Sequence, residues 1–221
     1  MAKVVLWGTG QIADVVYYYL AKDTDHDICA FCVDRAYLNG QTEFHGRPVV
    51  AFEDIERLYP PSEYRMAIPI GYKHINKYRE EKYRAAKAKG YSFITYISST
   101  SSVDSSFIGE NTFIFEHNAI QPFTKIGNNV IIWAMTGIGH HTEVGDHCFL
   151  ASPKISGAAK IGNNTFIGTN ASIGDTIEIG HHCLIGAGAV VVKNVPDGAV
   201  LAAKQTKAMP MKSWDMEGIL G

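Results

Sequence analysis

The sequence predicts two units, an α/β domain with a parallel sheet followed by a parallel β-solenoid. Three observations carry this. Strand-like and helix-like runs alternate through the first 97 residues. A strand–glycine–helix unit, with Gly8-Thr9-Gly10-Gln11-Ile12-Ala13 at its turn, opens the chain. From Ile108 onward an aliphatic residue recurs every six positions.

The first unit follows from its apolar runs. Lys3–Trp7 is short, apolar and β-branched, which fits a buried strand. A helical pattern runs from Gln11 to Ala21, and a second strand, Ile28–Val33, ends at Asp34-Arg35. Helical signal returns at Phe52–Leu58, strand at Met66–Ile70, helix at Ile75–Lys89 and strand at Tyr91–Ile97. Such alternation implies a parallel sheet flanked by helices.

Glycines at the first turn let the backbone tighten and approach a phosphate, and a helix N-terminus favours its negative charge. Gly8, Gly10 and Gln11 are therefore candidate phosphate contacts, and Asp34 with Arg35 candidate nucleoside contacts. The alternative is that the two glycines only close a turn. About four strands fit before the repeats begin, which favours a mononucleotide such as a nucleotide-sugar over a dinucleotide.

The second unit is fixed by its period. The series Ile108, Ile114, Ile120, Ile126, Ile132, Ile138, Val144, Leu150 resumes, after a gap of eleven, at Ile161, Ile167, Ile173, Ile179, Ile185 and Val191. Six is neither a helical nor a strand period. It suits a triangular solenoid of short strands and turns in which the aliphatic points inward and each coil uses three hexads. About five coils should stack. Glycine usually follows the aliphatic, often with Asn or Asp after it, as in Gly127-Asn128-Asn129. These residues are expected where turns need φ > 0. The slip at Ser152–Ala159 predicts an excursion from the stack. The domains expected are 1–98, 99–203 and a tail, 204–221.

The Ile-Gly-x-x-x-x series resembles the hexapeptide acyltransferases, whose fold is a left-handed parallel β-helix. With Gly-Thr-Gly-Gln-Ile-Ala at the head of a Rossmann-like α/β domain, the chain looks like one branch of them. These are the nucleotide-sugar N-acetyltransferases and sialic acid O-acetyltransferases of bacterial surface-glycan pathways. The resemblance implies a homotrimer, acetyl-CoA lying along the β-helix between subunits, and a sugar nucleotide in the N-terminal domain. It places Gly168, Gly186, Ala187, Lys204 and Lys207 along the CoA. The family's catalytic segment matches Gly139-His140-His141-Thr142-Glu143-Val144-Gly145-Asp146, with His140 on its general base. His141 and Gly139 stand where the family has acids, so Glu143, Asp146 or a backbone carbonyl is left to orient the imidazole. The family's closing Gly-x-Pro-Ala-Lys is replaced by Leu201-Ala202-Ala203-Lys204-Gln205.

The nine histidines are weighed on the same frame. Acyl transfer needs a base of near-neutral pKa, which suits His140. Its alternative is a solvated turn histidine. His181 and His182 hold the same place after Ile179, yet hexad counting puts them on a different side of the prism. His117 fits a turn. A metal at His140, His141 and His147 lacks fixed i, i+4 geometry and cysteine partners.

Composition excludes other classes. Of the 221 residues 46% are hydrophobic, and the net charge of −2 argues against a general nucleic-acid surface. No stretch approaches a membrane span. The N-terminus, Met1–Lys3 running into a strand, is too short for a signal peptide. Cys29-x-x-Cys32 lies in a strand, Cys148 and Cys183 in repeats, and nothing suggests disulfides. A cytoplasmic protein is expected. The expected activity is acetyl transfer from acetyl-CoA to an amine on a nucleotide-linked amino sugar, with backbone N–H groups of the His140 turn holding the oxyanion. An amine of pKa about 8 is partly neutral at pH 7 and needs less activation than a hydroxyl. O-acetylation and a non-catalytic sugar-nucleotide scaffold are the alternatives.

Overall fold

The structure, a computed structural model, describes residues 1–216. The first unit is a five-stranded sheet. Its elements are β1 (Lys3–Trp7), α1 (Gln11–Asp23), β2 (Asp27–Val33), β3 (Glu43–Phe44), β4 (Arg47–Ala51), α2 (Ile55–Leu58), β5 (Tyr64–Ala67) and α3 (Lys77–Ala88). The strand order is β3-β4-β2-β1-β5, parallel except for the β3–β4 hairpin. That hairpin had no sequence expectation, because Thr42–Arg47 is polar and carries no alternation. The expected strand Tyr91–Ile97 forms only a bridge, Met66 to Phe93, before it leaves the sheet.

Tyr96–Ile97 is instead the first strand of the solenoid. The prism has three faces of two-residue parallel strands. Face 1 carries Tyr96–Ile97, Phe113–Ile114, Ile131–Ile132, Phe149–Leu150, Phe166–Ile167, Leu184–Ile185 and Val200–Leu201. Face 2 carries Ser102–Val103, Ala119–Ile120, Gly137–Ile138, Lys154–Ile155, Ser172–Ile173 and Val190–Val191. Face 3 carries Phe107–Ile108, Lys125–Ile126, Glu143–Val144, Lys160–Ile161 and Glu178–Ile179. The inward aliphatics form one continuous core.

Two expectations about the solenoid are corrected. There is no excursion after Ser152: Lys154–Ile155 pairs with Gly137–Ile138 and with Ser172–Ile173. Ile155 is a further anchor, five residues after Leu150. One residue is missing from the turn before it, where Ser152 (φ 58°) comes second rather than third after the anchor. The glycines after the anchors are not there for positive φ either. They let one coil lie on the next: a Cβ on Gly139 would come 2.5 Å from the Gly157 nitrogen, and one on Gly109 2.6 Å from the Gly127 carbonyl carbon. Elsewhere positive φ falls on the third residue after nearly every anchor, among them Phe123, Asn129, Met135, His141 and His147. All of these except Phe123 are held by amide bonds to the preceding coil, as in His141 N–H to Pro122 O at 3.2 Å and His147 N–H to Asn128 O at 2.8 Å.

The first unit covers face 1. Val4, Leu6, Val16, Leu20 and Phe31 share a core with Phe113, Phe115, Ile131 and Phe149. Arg79 of α3, fully buried, pins the two units. Its guanidinium donates to Asn129 O, His147 O and Cys148 O in the solenoid and to Ile70 O, Gly71 O and Asn76 Oδ1 at the sheet edge. Among the described residues no helix is long and apolar enough to cross a membrane.

Candidate functional site

Strand β1 lies between β2 and β5, so the chain leaves it in opposite directions and opens a crevice at its C-terminal end. Two adjoining cavities fill that crevice. One, of about 220 Å³, is walled by Trp7, Tyr37, Tyr78, Val33 and Ile70, with Asp34 and Lys73 as its charged members. The other, of about 330 Å³, is lined by Gly8, Gly10, Gln11, Ile12, Pro69 and Gly71 at the start of α1. Gly8 and Ile70 border both.

The two glycines of the turn have different reasons. Gly8 has φ 108°, which only glycine adopts freely, and its N–H donates to Cys32 O at 2.8 Å. Gly10 has no such φ, and a Cβ there would meet nothing within 4 Å. The turn does not need glycine at position 10, and what its absent side chain keeps clear is the cavity. Asp34 is half-buried and accepts from Lys82 Nζ at 2.6 Å and Tyr78 Oη at 3.3 Å. Burial beside Asp34 pushes the Tyr78 phenol up to about 12, so it stays a donor. Arg35 does not join them. Its guanidinium turns to Asp54 at 2.9 Å and its N–H to Glu53, which removes it from the expected nucleoside contacts. Trp7, Tyr37, Tyr78 and Lys82 were missed by sequence reasoning. The i, i+4 spacing of Tyr78 and Lys82 on α3 was the available signal.

His140 and His141 sit at the corner between faces 2 and 3. Their rings lie Nδ1 to Nδ1 at 3.1 Å, so one must donate to the other. With His140 as donor, its Nε2 is left with a free lone pair. The His140 ring stands over Gly157 of the next coil: a Cβ there would be 2.7 Å from its Cε1 and 2.9 Å from its Nε2. His141 packs against the exposed ring of Phe123, centroids 4.7 Å apart.

The expected carboxylate partners are elsewhere. Glu143 points out of face 3 and pairs with Lys125 at 2.8 Å, whose charge and hydrogen bond hold its carboxyl below the ordinary range. Asp146 is at the corner between faces 3 and 1, accepting from Asn128 N–H at 2.7 Å. Glu143 is therefore no part of this corner, and His141 is the ring's polar neighbour. The turn amides are also engaged: Gly139 N–H with Ile155 O, His140 N–H with Gln121 Oε1, and His141 N–H with Pro122 O. They are not free to hold an oxyanion.

The second Gly-His-His stretch differs. At the corner between faces 3 and 1, His181 Nδ1 accepts from Asn163 N–H at 2.9 Å, and its own N–H donates to Asp197 Oδ1 at 2.7 Å. Asn128, Asp146, Asn163, His181 and Asp197 thus form one column, each side chain capping an amide of the coil before. His147, also at that corner, is buried under α3 with Nδ1 2.8 Å from Asn129 Nδ2, and burial lowers its basicity. Among the described residues no group of three or more His, Cys, Asp or Glu could hold a metal.

Gly168, Gly186 and Ala187 come together at the corner between faces 1 and 2, where a Cβ on Gly168 would strike the Ala187 nitrogen at 2.6 Å. Lys204 and Lys207 lie exposed in a stretch, 202–212, without helix or strand.

The bacterial transferase hexapeptide (six repeats) family matches residues 105–140, 123–152 and 158–193. Comparison with curated sequences gives no match. Among solved structures, a histidine mutant of perosamine N-acetyltransferase from Caulobacter crescentus, in complex with CoA and GDP-perosamine, is 25% identical. It covers 90% of this chain and 93% of its own, with a TM-score of 0.78. The acetyltransferase domain of PglB from Neisseria gonorrhoeae, in complex with acetyl coenzyme A, is 21% identical over 94% of this chain and 98% of its own, TM-score 0.78. WeeI from Acinetobacter baumannii is 21% identical over 92% and 97%, TM-score 0.76. The α/β unit joined to a β-helix of hexapeptide repeats is therefore a shared whole-chain architecture, and the resemblance drawn from the residues holds.

Proposed function

We propose that this chain, an acyltransferase of the hexapeptide-repeat type using acetyl-CoA, acetylates the amine of a nucleotide-linked amino sugar in the cytoplasm. The reading rests on one contrast. Of two Gly-His-His corners, one has its histidine tied into a capping column. The other carries His140 with a free nitrogen over a glycine. An imidazole with a free lone pair can take the proton as the amine attacks the thioester carbon. The C–N bond forms, the C–S bond breaks, and CoA leaves as the thiolate, to be protonated. His141 orients the base in place of a carboxylate, and the glycine-lined cavities hold the nucleotide.

The nucleotide cavities and His140 lie on opposite sides of one prism, since the first unit covers face 1 and His140 occupies the corner between faces 2 and 3. One chain alone does not bring acceptor and base together, and a homotrimer would. Exposed Phe107 and Phe123, on face 3 and at the His140 corner, suit contact with a second copy.

The experiment is complementation. His140→Ala should lower kcat by roughly 10² to 10⁴, and Gly10→Val should block the nucleotide while leaving the turn intact. Co-expressed, the two inactive chains should regain CoA release with nucleotide-amino-sugar acceptors if each site draws on two copies. No recovery, with both variants assembled, refutes the shared site. Full rate in His140→Ala refutes the base.

A further inference from the structure

We propose that Lys73 is the residue that neutralises the diphosphate of the bound nucleotide, and that the strained turn after it exists to hold it there. The proposal rests on the nucleotide reading above and deepens it.

Other cations near the crevice are committed. Lys82 is paired with Asp34 at 2.6 Å, Arg35 with Asp54, and Arg79 is buried with its donors on carbonyl and amide oxygens. Lys73 lines the aromatic-walled cavity two residues after Gly71, which lines the glycine-rich one. It thus stands at their shared rim, where a nucleoside in the first would pass its phosphates into the second. Among the described residues it has no carboxylate partner, and its ammonium lies 5.4 Å from the Tyr78 ring centroid. The start of α1 has no side-chain cap at Gly10, so its amides face the same space. Those partial charges do not balance a diphosphate, and a cation is the missing component.

The backbone is the second observation. His74, Ile75 and Asn76 are consecutive left-handed residues, with φ of 54°, 50° and 65°. A β-branched residue such as Ile75 is a true outlier there. Asn76 over-determines the turn. It is fully buried, donates to Asn164 O at 3.1 Å and Thr165 O at 3.2 Å, and accepts from Arg79 Nη1 at 3.0 Å. The solenoid thereby fixes the exit direction of the segment that carries Lys73.

The test is calorimetric binding of UDP, GDP and dTDP, each beside its nucleoside, to the native protein, Lys73→Ala and Lys73→Arg. Lys73 is exposed, so both variants should keep the native thermal midpoint. A charge-assisted phosphate contact predicts about a ten- to hundredfold weaker diphosphate affinity in Lys73→Ala, unchanged nucleoside affinity, and rescue to within a few-fold by Lys73→Arg. Equal diphosphate affinity in native and Lys73→Ala overturns the assignment and leaves the nucleotide site standing. A parallel loss for nucleoside overturns it in favour of a wall residue. Failure of all three diphosphates to bind the native protein removes the nucleotide reading and this proposal with it.

Discussion

Gly157→Ala separates the position of the His140 ring from its chemistry. The added methyl would stand 2.7 Å from Cε1, 2.9 Å from Nε2 and 3.2 Å from Nδ1 of that ring. Carbon contacts settle at about 3.5–4.0 Å, so the ring must withdraw by about 1 Å. Those ring atoms are the methyl's nearest neighbours, and the ring is an exposed surface side chain. The backbone can therefore stay, and the stability cost should be under about 1 kcal/mol. Displacement of a catalytic group by about 1 Å can cost about 10²-fold in rate. The assay is CoA thiol release at saturating acetyl-CoA, with the thermal midpoint measured in parallel. The expected result is a large fall in kcat, little change in the nucleotide Kd and a near-native midpoint. Gly139→Ala is the contrast, since its methyl would strike the Gly157 backbone nitrogen at 2.5 Å and should unseat the coil. Native kcat in Gly157→Ala, where His140→Ala is inactive, would refute the claim that the ring acts from its observed position.

Arg79→Met should destabilise by about 3–5 kcal/mol, a large share of the usual stability of about 5–15 kcal/mol, because it strands buried acceptors in both units. Denaturant midpoints check this, and a loss under about 1 kcal/mol would mean the units are held by apolar packing alone. Asp23 ties α1 to the first coil, accepting from Ser99 N–H at 3.1 Å, Ser99 Oγ at 2.8 Å and Tyr96 Oη at 2.9 Å. These bonds hold its carboxyl below the ordinary 3.8. Its folded pKa is the depressed one, so its stabilisation is present above that ordinary value and is lost as pH falls through the folded value. Asp23→Ala should therefore lower the denaturation midpoint at pH 7 and much less at pH 3, and an equal loss at both would show that its charge is irrelevant.

The repeat was legible because every coil imposes it: an inward side chain must be aliphatic, and where the backbone lies directly on the next coil the residue is glycine. The sequence reading had the right residues and the wrong cause for those glycines, since close approach and positive φ both select Gly. Positive φ was hidden because stacking amide bonds stabilise it in residues as poorly suited as Met135, whose N–H donates to Glu116 O at 3.1 Å. Ile155 was hidden because deletion of one turn residue breaks the count without breaking the ladder. The crevice at the end of β1 was half legible. Gly8, Gly10, Gln11 and Asp34 belong to turns with local signatures, whereas Tyr37, Tyr78 and Lys73 reach it only through the tertiary path of the chain. Arg79 carried no signal, since an arginine in Lys-Tyr-Arg-Glu-Glu reads as a solvated helix residue until α3 docks.

The two histidine pairs show why local spelling cannot assign a base. Gly139-His140-His141 and Gly180-His181-His182 have the same residues in the same place after the anchor, and His141 and His182 share the left-handed conformation. The difference lies one coil away. Asp197 accepts the His181 N–H, and the Asn163 N–H occupies the His181 ring nitrogen, so that imidazole is spent on the stack. In the coil before His140 the corresponding residue is Pro122, which has no N–H for the ring to cap, and in the coil after it is Gly157, whose N–H is satisfied by Asp175 Oδ1 at 3.0 Å. Asp175 thus does for Gly157 what the His181 ring nitrogen does for Asn163, while the His140 ring, with no amide before it to cap, keeps a nitrogen for a proton. The free ring is in this sense a missing rung: the column of side-chain caps is interrupted by one proline, and the histidine that would have capped its N–H keeps a ring nitrogen available.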